Sequence, residues 1–309
     1  MIHGTLTGSV ATLSLSVMVL LVAMVATPVY SSSLVAHHPG QTVIRTKGSD
    51  TMHVLMRAWA DAYHKDHPSI VITTDNSGSS NGIAALVNGH IDMAVSSRTL
   101  KQQELRRISR QAGLLPQEHI VGWDGLSVVV HRHNPVEGFA MEQLASLYAR
   151  TGTLKSWSDV GVTVPGCETG QIMLGSRRNN SGSYAFLQDA MAPFNSQRQR
   201  MASGEVTYHR NSRQLADWVA SNPCAIGYMG MALVTEHIRA ICIRTTRGEC
   251  LPPTAESIRN RTYPLTRPLY LYVPNEPTEA VQHYLNWIRG TTGQHILRQV
   301  GFIPAVEQP

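Results

Sequence analysis

Three times the chain passes from a short apolar run, through a turn of Gly, Ser, Thr, Asp or Asn, into a stretch of helical periodicity. The turns are Gly48-Ser49-Asp50-Thr51, Ser77-Gly78-Ser79-Ser80-Asn81-Gly82 and Asn180-Ser181-Gly182-Ser183. After the first turn, Met52, Leu55, Met56, Trp59, Ala60 and Tyr63 recur on one helical face, and His67-Pro68 stops the helix. Ile70–Thr73 and Ile91–Val95 read as further strands, with a short helix from Ile83 between them and a polar helix over 101–112 after them. Strand and helix in strict alternation imply an α/β layer built on parallel strands.

The remainder continues the alternation less regularly. Strands are expected at Leu126–His131, Gln171–Gly175, Ala225–Tyr228 and Leu269–Val273. Helices are expected over 141–149, 184–191, 212–220, 278–289 and 291–299, with irregular chain over 244–262. A length of 309 residues suits two domains. No repeat and no low-complexity tract interrupts the chain.

Charge is absent from the first 44 residues and starts at Arg45. Val10–Val29 is an apolar run, followed by the small-residue stretch Tyr30–Ala36. Residues 1–36 are therefore expected to be an export signal, the competing reading being a retained anchor helix. The remaining chain carries 26 basic and 21 acidic residues, a net charge of +5. That mild excess, with 6% aromatic residues, is not the clustered basic surface that nucleic acid requires. It suits small anions.

An exported chain can form disulfides, and there are four cysteines. Of the three possible pairings, Cys242 with Cys250 can close locally across a short polar turn, which leaves Cys167 for Cys224. Their spacing is not that of a zinc site.

The turns carry the chemistry. Each precedes a helix, where backbone N–H groups lack intrahelical acceptors and the dipole is positive. Such a place holds an anion without a formal charge. Arg98, after the strand ending at Ser96-Ser97, and Arg177, before the third turn, add guanidinium groups that grip oxyanions with two N–H bonds. One such turn is ordinary helix capping. Several at the ends of strands in an α/β sheet point to a ligand.

Two other chemistries compete for these residue types. Gly78-Ser79-Ser80-Asn81-Gly82 has the spacing of a nucleophile elbow, which would make Ser80 a hydrolase serine with His283 or His295 downstream. It comes too early in the sheet, however, and no oxyanion loop precedes it. The pairs His64/His67 and His131/His133 could hold a metal, but they lie at a helix end and a strand end, where solvated histidines are usual.

In their order the segments resemble the phosphate-binding protein family of bacterial phosphate ABC transporters. The resemblance is carried by KGSDTMHVLMRAWADAYHKDHPSI, TDNSGSSNGIAALVNGHIDMAVSSRTL, YARTGTLKSWSDVG, RRNNSGSYAFLQDAM, NPCAIGYMG and YPLTRPLYLYV, and it spans residues 42–303. It implies an α/β fold of the two-lobed type II periplasmic binding protein kind, with ligand in the interlobe cleft. The crossings would lie near Leu126–His131 and Leu269–Val273, making residues 42–128 with 268–309 one lobe and 129–267 the other.

The resemblance further implies a phosphate site made of Thr51, the N–H of Met52, Ser79, Ser97, Arg98, Arg177, Ser181, Gly182 and Ser183. At Ser97 many members carry Asp, which accepts the proton of protonated phosphate; Asp50 is the substitute acceptor within reach, or else a helix cap. The partners implied are inorganic phosphate and a transporter permease. The protein is expected to be a periplasmic, non-enzymatic monomer with no cofactor, no metal and no nucleic acid. A phosphate sensor or scavenger without a transporter is the alternative role.

Overall fold

The computed structural model describes Met1 and residues 41–111, 115–149, 152–194 and 206–305; the expected export signal lies outside the described residues. Gly40–Pro309 form one unit. In chain order it runs β1 (Thr42–Gly48), α1 (His53–Asp66), β2 (Ile70–Asp75), α2 (Ser79–Val87), β3 (Met93–Ser96), α3 (Gln102–Gln111) and the long β4 (Gln117–His131). Next come β5 (Gly138–Ala140), α4 (Met141–Tyr148), β6 (Met173–Arg177), α5 (Gly182–Met191), β7 (Val206–His209), α6 (Ser212–Ser221) and β8 (Ala225–Gly230). The chain ends with β9 (Ile238–Arg244), β10 (Cys250–Leu251), α7 (Ala255–Arg259), β11 (Thr266–Val273), α8 (Glu279–Arg289), α9 (Thr291–Val300) and β12 (Ile303–Pro304).

The strands follow the order β2-β1-β3-β11-β4-β8-β6-β7. β1 pairs in parallel with β2 and β3, and β6 pairs in parallel with β7 and β8. Between these two parallel groups stand β11 and β4, antiparallel to each other. β4 changes partner along its length: residues 117–125 pair with β11, and Leu126–Val130 pair with β8.

The apolar cores divide at the same place. One gathers Ile44, the buried face of α1, Val121, Leu269, Leu271 and the inner faces of α8 and α9. The other starts at Leu126 and gathers Val128, Val130, Leu144, Trp157, Leu187, Ile226 and Leu265. Side chains this large each contribute about 1.5–3 kcal/mol when buried, so each half holds itself together. α1 buries Leu55, Met56, Trp59, Ala60 and Tyr63, the face its spacing predicts. Trp59 Nε1 also donates to the Gly293 carbonyl at 2.7 Å, which ties the returning C-terminal helices to the first half.

The structure differs from the sequence expectation in three places. β4 begins at Gln117, not Leu126, because its first half is masked by glycines and by Asp124, a buried charge with a buried partner. β5, β7, β9 and β12 lie outside the expected strands, and the stretch 244–262, expected to be irregular, contains β10 and α7. The disulfides are Cys167–Cys224 and Cys242–Cys250, with Cα atoms 5.0 and 5.3 Å apart, the pairing the spacing favours. The second staples β10 onto β9.

Candidate functional site

Five strand-to-helix turns converge where the two halves meet. β1→α1 supplies Ser49, Asp50 and Thr51, β2→α2 supplies Ser77–Ser79, and the residues after β3 supply Ser97 and Arg98. From the second half, β6→α5 supplies Arg177–Ser183 and β7→α6 supplies Ser212. The hydroxyl residues Ser49, Thr51, Ser79, Ser97, Ser181, Ser183 and Ser212 are all buried, as are Arg98 and Arg177. Seven hydroxyls in a dry interior need partners, because an unpaired one costs about 1–3 kcal/mol.

Several of these partners lie across the junction. Thr51 Oγ1 and Ser183 Oγ are 3.1 Å apart. Within the first half, Ser49 Oγ donates to Ser97 Oγ at 3.0 Å, and the Ser97 N–H donates to Ser79 Oγ at 3.3 Å. A hydroxyl has one proton and two lone pairs. Ser79 and Ser97 both accept from within the protein, so each keeps its own proton to donate elsewhere. Gly182 lies directly against this pair: a Cβ there would fall 2.4 Å from both Ser79 Oγ and Ser97 Oγ. Only glycine allows so close an approach of backbone to hydroxyls. The rim is closed by Ser80 N–H donating to the Asn180 carbonyl and by Asn180 Nδ2 donating to the Ser77 carbonyl at 2.7 Å. Gly78 permits this, with φ at +101° and the Asn180 carbonyl where a side chain would begin.

Arg177 is 2% exposed, and only some of its hydrogens are engaged within the protein. Nη1 donates to Asp50 Oδ2 at 2.9 Å and to Ser212 Oγ at 2.5 Å, and Nη2 donates to the Arg210 carbonyl at 2.9 Å. Its Nε is buried without a partner. One of the two Nη2 hydrogens is also unused, so Arg177 keeps two N–H donors. Burial pulls the Arg177 pKa below the ordinary arginine value while Asp50 opposes that shift, and the group stays charged near neutrality. The Tyr228 hydroxyl, which accepts from the Arg177 backbone N–H, is pushed up by burial to about 12.

Asp50 is neither a helix cap nor a free acceptor. Its Oδ2 accepts from Arg177 Nη1 and from the Ser212 N–H at 2.8 Å, and its Oδ1 accepts from Asn76 at 3.3 Å. α1 has no side-chain cap. Asp50 is therefore a bridge from the first half to two elements of the second.

The Nη atoms of Arg98 are all engaged within the first half: they donate to both oxygens of Glu104, at 2.8 and 2.6 Å, to the Thr99 carbonyl and to Ser80 Oγ. Only its Nε is left, buried and without a partner. Of the other expected residues, Thr51, Ser79, Ser97, Arg177, Gly182 and Ser183 are brought together, and buried Met52 follows Thr51 directly. Ser181 caps α5, accepting from the Tyr184 N–H. Ser212, Asp124 and Arg267 also belong here and were not anticipated. Arg267 donates to Asp124 Oδ2 from Nε and Nη2, to Ser183 Oγ at 2.9 Å and to Thr51 Oγ1 at 3.2 Å.

Each of the three buried arginines on these turns and crossing strands is paired with a carboxylate: Arg98–Glu104, Arg177–Asp50 and Arg267–Asp124. What is left for a ligand is not net charge but donors: hydroxyl protons, helix-terminal N–H groups and the unused N–H donors of Arg177. The other two chemistries find their residues engaged elsewhere. Ser80 Oγ accepts from Arg98, and His283 Nδ1 lies 2.6 Å from the Tyr63 hydroxyl. Among the described residues no group of His, Cys, Asp and Glu is arranged to hold a metal ion.

Two parallel-stranded α/β halves joined by an antiparallel strand pair, with a buried donor cluster at the junction, define a type II periplasmic binding protein fold. A family model described as a PBP superfamily domain matches residues 35–290, and the chain belongs to that superfamily. It is 28% identical over 272 residues to the phosphate-binding protein PstS of Pseudomonas aeruginosa, covering 83% of this chain and 81% of that one. It is 26% identical to protein SphX of Synechococcus elongatus, covering 85% and 78%. Among solved structures it resembles a putative phosphate ABC transporter substrate-binding protein with bound phosphate from Clostridium perfringens. The TM-score there is 0.74 at 24% identity, over 86% of this chain and all of the other. An ABC-type phosphate transport receptor from Vibrio cholerae matches with a TM-score of 0.67 at 23% identity, over 84% and 99%.

Proposed function

We propose that this protein is an extracytoplasmic solute-binding protein that captures inorganic phosphate between its two halves and delivers it to an ABC transporter permease. The observation that carries this reading is the donor cluster: Thr51, Ser79, Ser97 and Ser183 hydroxyls, the start of α5 and the unpartnered Nε of Arg177, all buried together. A tetrahedral oxyanion accepts several hydrogen bonds at once, and the helix ends add their dipoles. The relatives from Pseudomonas aeruginosa and Staphylococcus saprophyticus, matched over 81% and 70% of their length, are named as phosphate-binding proteins. In this reading the lobes divide in β4 near Gly125/Leu126 and again between Leu265 and Leu269, where the two cores exchange.

The cycle is one of binding and release, with no bond made or broken in the ligand. When the halves separate, the cross-junction bonds of Asp50, Thr51, Ser80 and Asn180 open to water. Ligand supplies acceptors for both halves and favours the closed form. The leader segment, in this reading, directs export. No helix of the described residues is long and apolar enough to cross a membrane.

Equilibrium dialysis of the refolded protein against labelled phosphate is the test. Saturable one-to-one binding that resists excess nitrate and citrate is expected. Absence of retained label, or its loss to any monovalent anion, would overturn the reading.

A further inference from the structure

Arg267 and Asp124 stand directly opposite each other on β11 and β4, the two strands that join the halves. Both are fully buried. A buried ion pair confers little stability on its own, since desolvation offsets most of the attraction. This one has a geometric consequence. Asp124 takes Nε and one Nη2 hydrogen, and its other oxygen accepts from the Met231 N–H at 3.0 Å. The guanidinium so fixed directs one N–H at Ser183 Oγ in the second half and one at Thr51 Oγ1 in the first.

A guanidinium only donates, so both hydroxyl oxygens must accept from it. The two oxygens lie 3.1 Å apart. Only one proton fits between them, and at least one O–H must point out of the pair. With an anion present, both can.

We propose that Arg267, oriented by Asp124, is a positioning and specificity-determining residue that holds Thr51 and Ser183 as hydrogen-bond donors, so that the site selects the form of its anion with the most unprotonated oxygens. This rests on the phosphate-binding reading and deepens it. Ser79 and Ser97 are polarised in the same sense by Ser97 N–H and Ser49. Asp50, the carboxylate on the edge of the cluster, is engaged by Arg177 and Ser212. A site of donors favours the phosphate dianion over the monoanion, whose extra proton needs an acceptor.

The ionisable groups facing the pair and the cluster are Tyr263, Tyr228, His209, Asp50 and Arg177. Tyr263 donates to the Leu126 carbonyl and is pushed up by burial and by Asp124, and Tyr228 is pushed up by burial. His209 is pulled down by burial and by Arg177. The neutral forms of all three are therefore favoured near and above neutrality.

The test is the pH profile of phosphate affinity, measured by calorimetry from pH 6 to 8.5 in wild type and in the neutral pair Asp124→Asn/Arg267→Gln. Below the second ionisation of phosphate, wild-type affinity should rise roughly tenfold per pH unit and then level off. The neutral pair frees one further lone pair on each of Thr51 and Ser183 to accept, so its slope should fall below roughly threefold per unit. A purely structural role would shift the curve downward in parallel, and that result overturns the proposal. If the double variant does not fold, Arg267→Lys gives the same comparison, because an ammonium has no planar fork to direct its donors at Asp124 and both hydroxyls at once; an unchanged slope there is equally fatal. Phosphate affinity absent from wild type at every pH would instead remove the function on which the inference rests.

Discussion

Arg177→Lys is the most informative single change, because it keeps the charge and alters only how the donors are arranged. Nη1 and Nη2 hold Asp50, Ser212 and the Arg210 carbonyl, while Nε and one Nη2 hydrogen remain. A lysine ammonium is a single point with three donors and cannot serve these partners and the anion as well. Asp50, 11% exposed and already bonded to the Ser212 N–H, will hold it. The anion then loses two N–H donors. Hydrogen bonds to charged groups contribute about 1.5–3 kcal/mol each, and some compensation by water is expected, so a loss of about 2–4 kcal/mol follows. That is roughly 30- to 1000-fold in Kd. Arg177→Ala should cost more, since it also strands Asp50. Arg178, exposed on the same turn, is the control: Arg178→Ala should stay within about 0.5 kcal/mol. Fluorescence or calorimetric titration reads all three. Arg177→Lys binding phosphate within threefold of wild type, or Arg178→Ala proving the damaging change, would refute the assignment of the free donors.

Gly182→Ala should weaken phosphate binding by about 1–3 kcal/mol while leaving the melting temperature of the ligand-free protein nearly unchanged, because the new methyl strikes Ser79 and Ser97 only when the halves are closed. Ser97→Asp should sharpen discrimination against sulfate, which carries no proton to share with a carboxylate, and a phosphate–sulfate competition titration would show it. Asp50→Asn should leave that discrimination close to wild type, since Asp50 is engaged by Arg177 and Ser212; a collapse of selectivity would contradict this placement. Removing Cys167–Cys224 should cost roughly 2–4 kcal/mol, read as a lower denaturation midpoint in both reductant-treated wild type and the Cys167→Ser/Cys224→Ser variant.

Much of the first half was legible along the chain because its determinants are local. The apolar face of α1 from Leu55 to Tyr63 follows from spacing alone, and the hydroxyl-bearing turns follow from the Gly and Ser that such turns need. What escaped depends on contacts between distant residues. Asp50 looked like a cap because nothing near it in sequence announces Arg177, 127 residues away. Asp124 lies in a run with glycines on either side that does not read as a strand, and it is tolerated there only because Arg267 sits opposite, 143 residues on. The Arg98 pairing was equally hidden. Glu104, in the first turn of the next helix, accepts from both Nη atoms of the arginine, and nothing before that helix announces it.

The central claim is that a tetrahedral anion sits among donors from both halves, and a crystal structure of the protein grown with phosphate measures this directly. The anion should lie within about 3.2 Å of Arg177 Nε, of the Thr51, Ser79 and Ser183 hydroxyls and of backbone N–H groups at the start of α5, with the Asp50–Arg177 bridge intact. A cluster without the anion at saturating phosphate, or an anion bound elsewhere on the surface, would contradict the account.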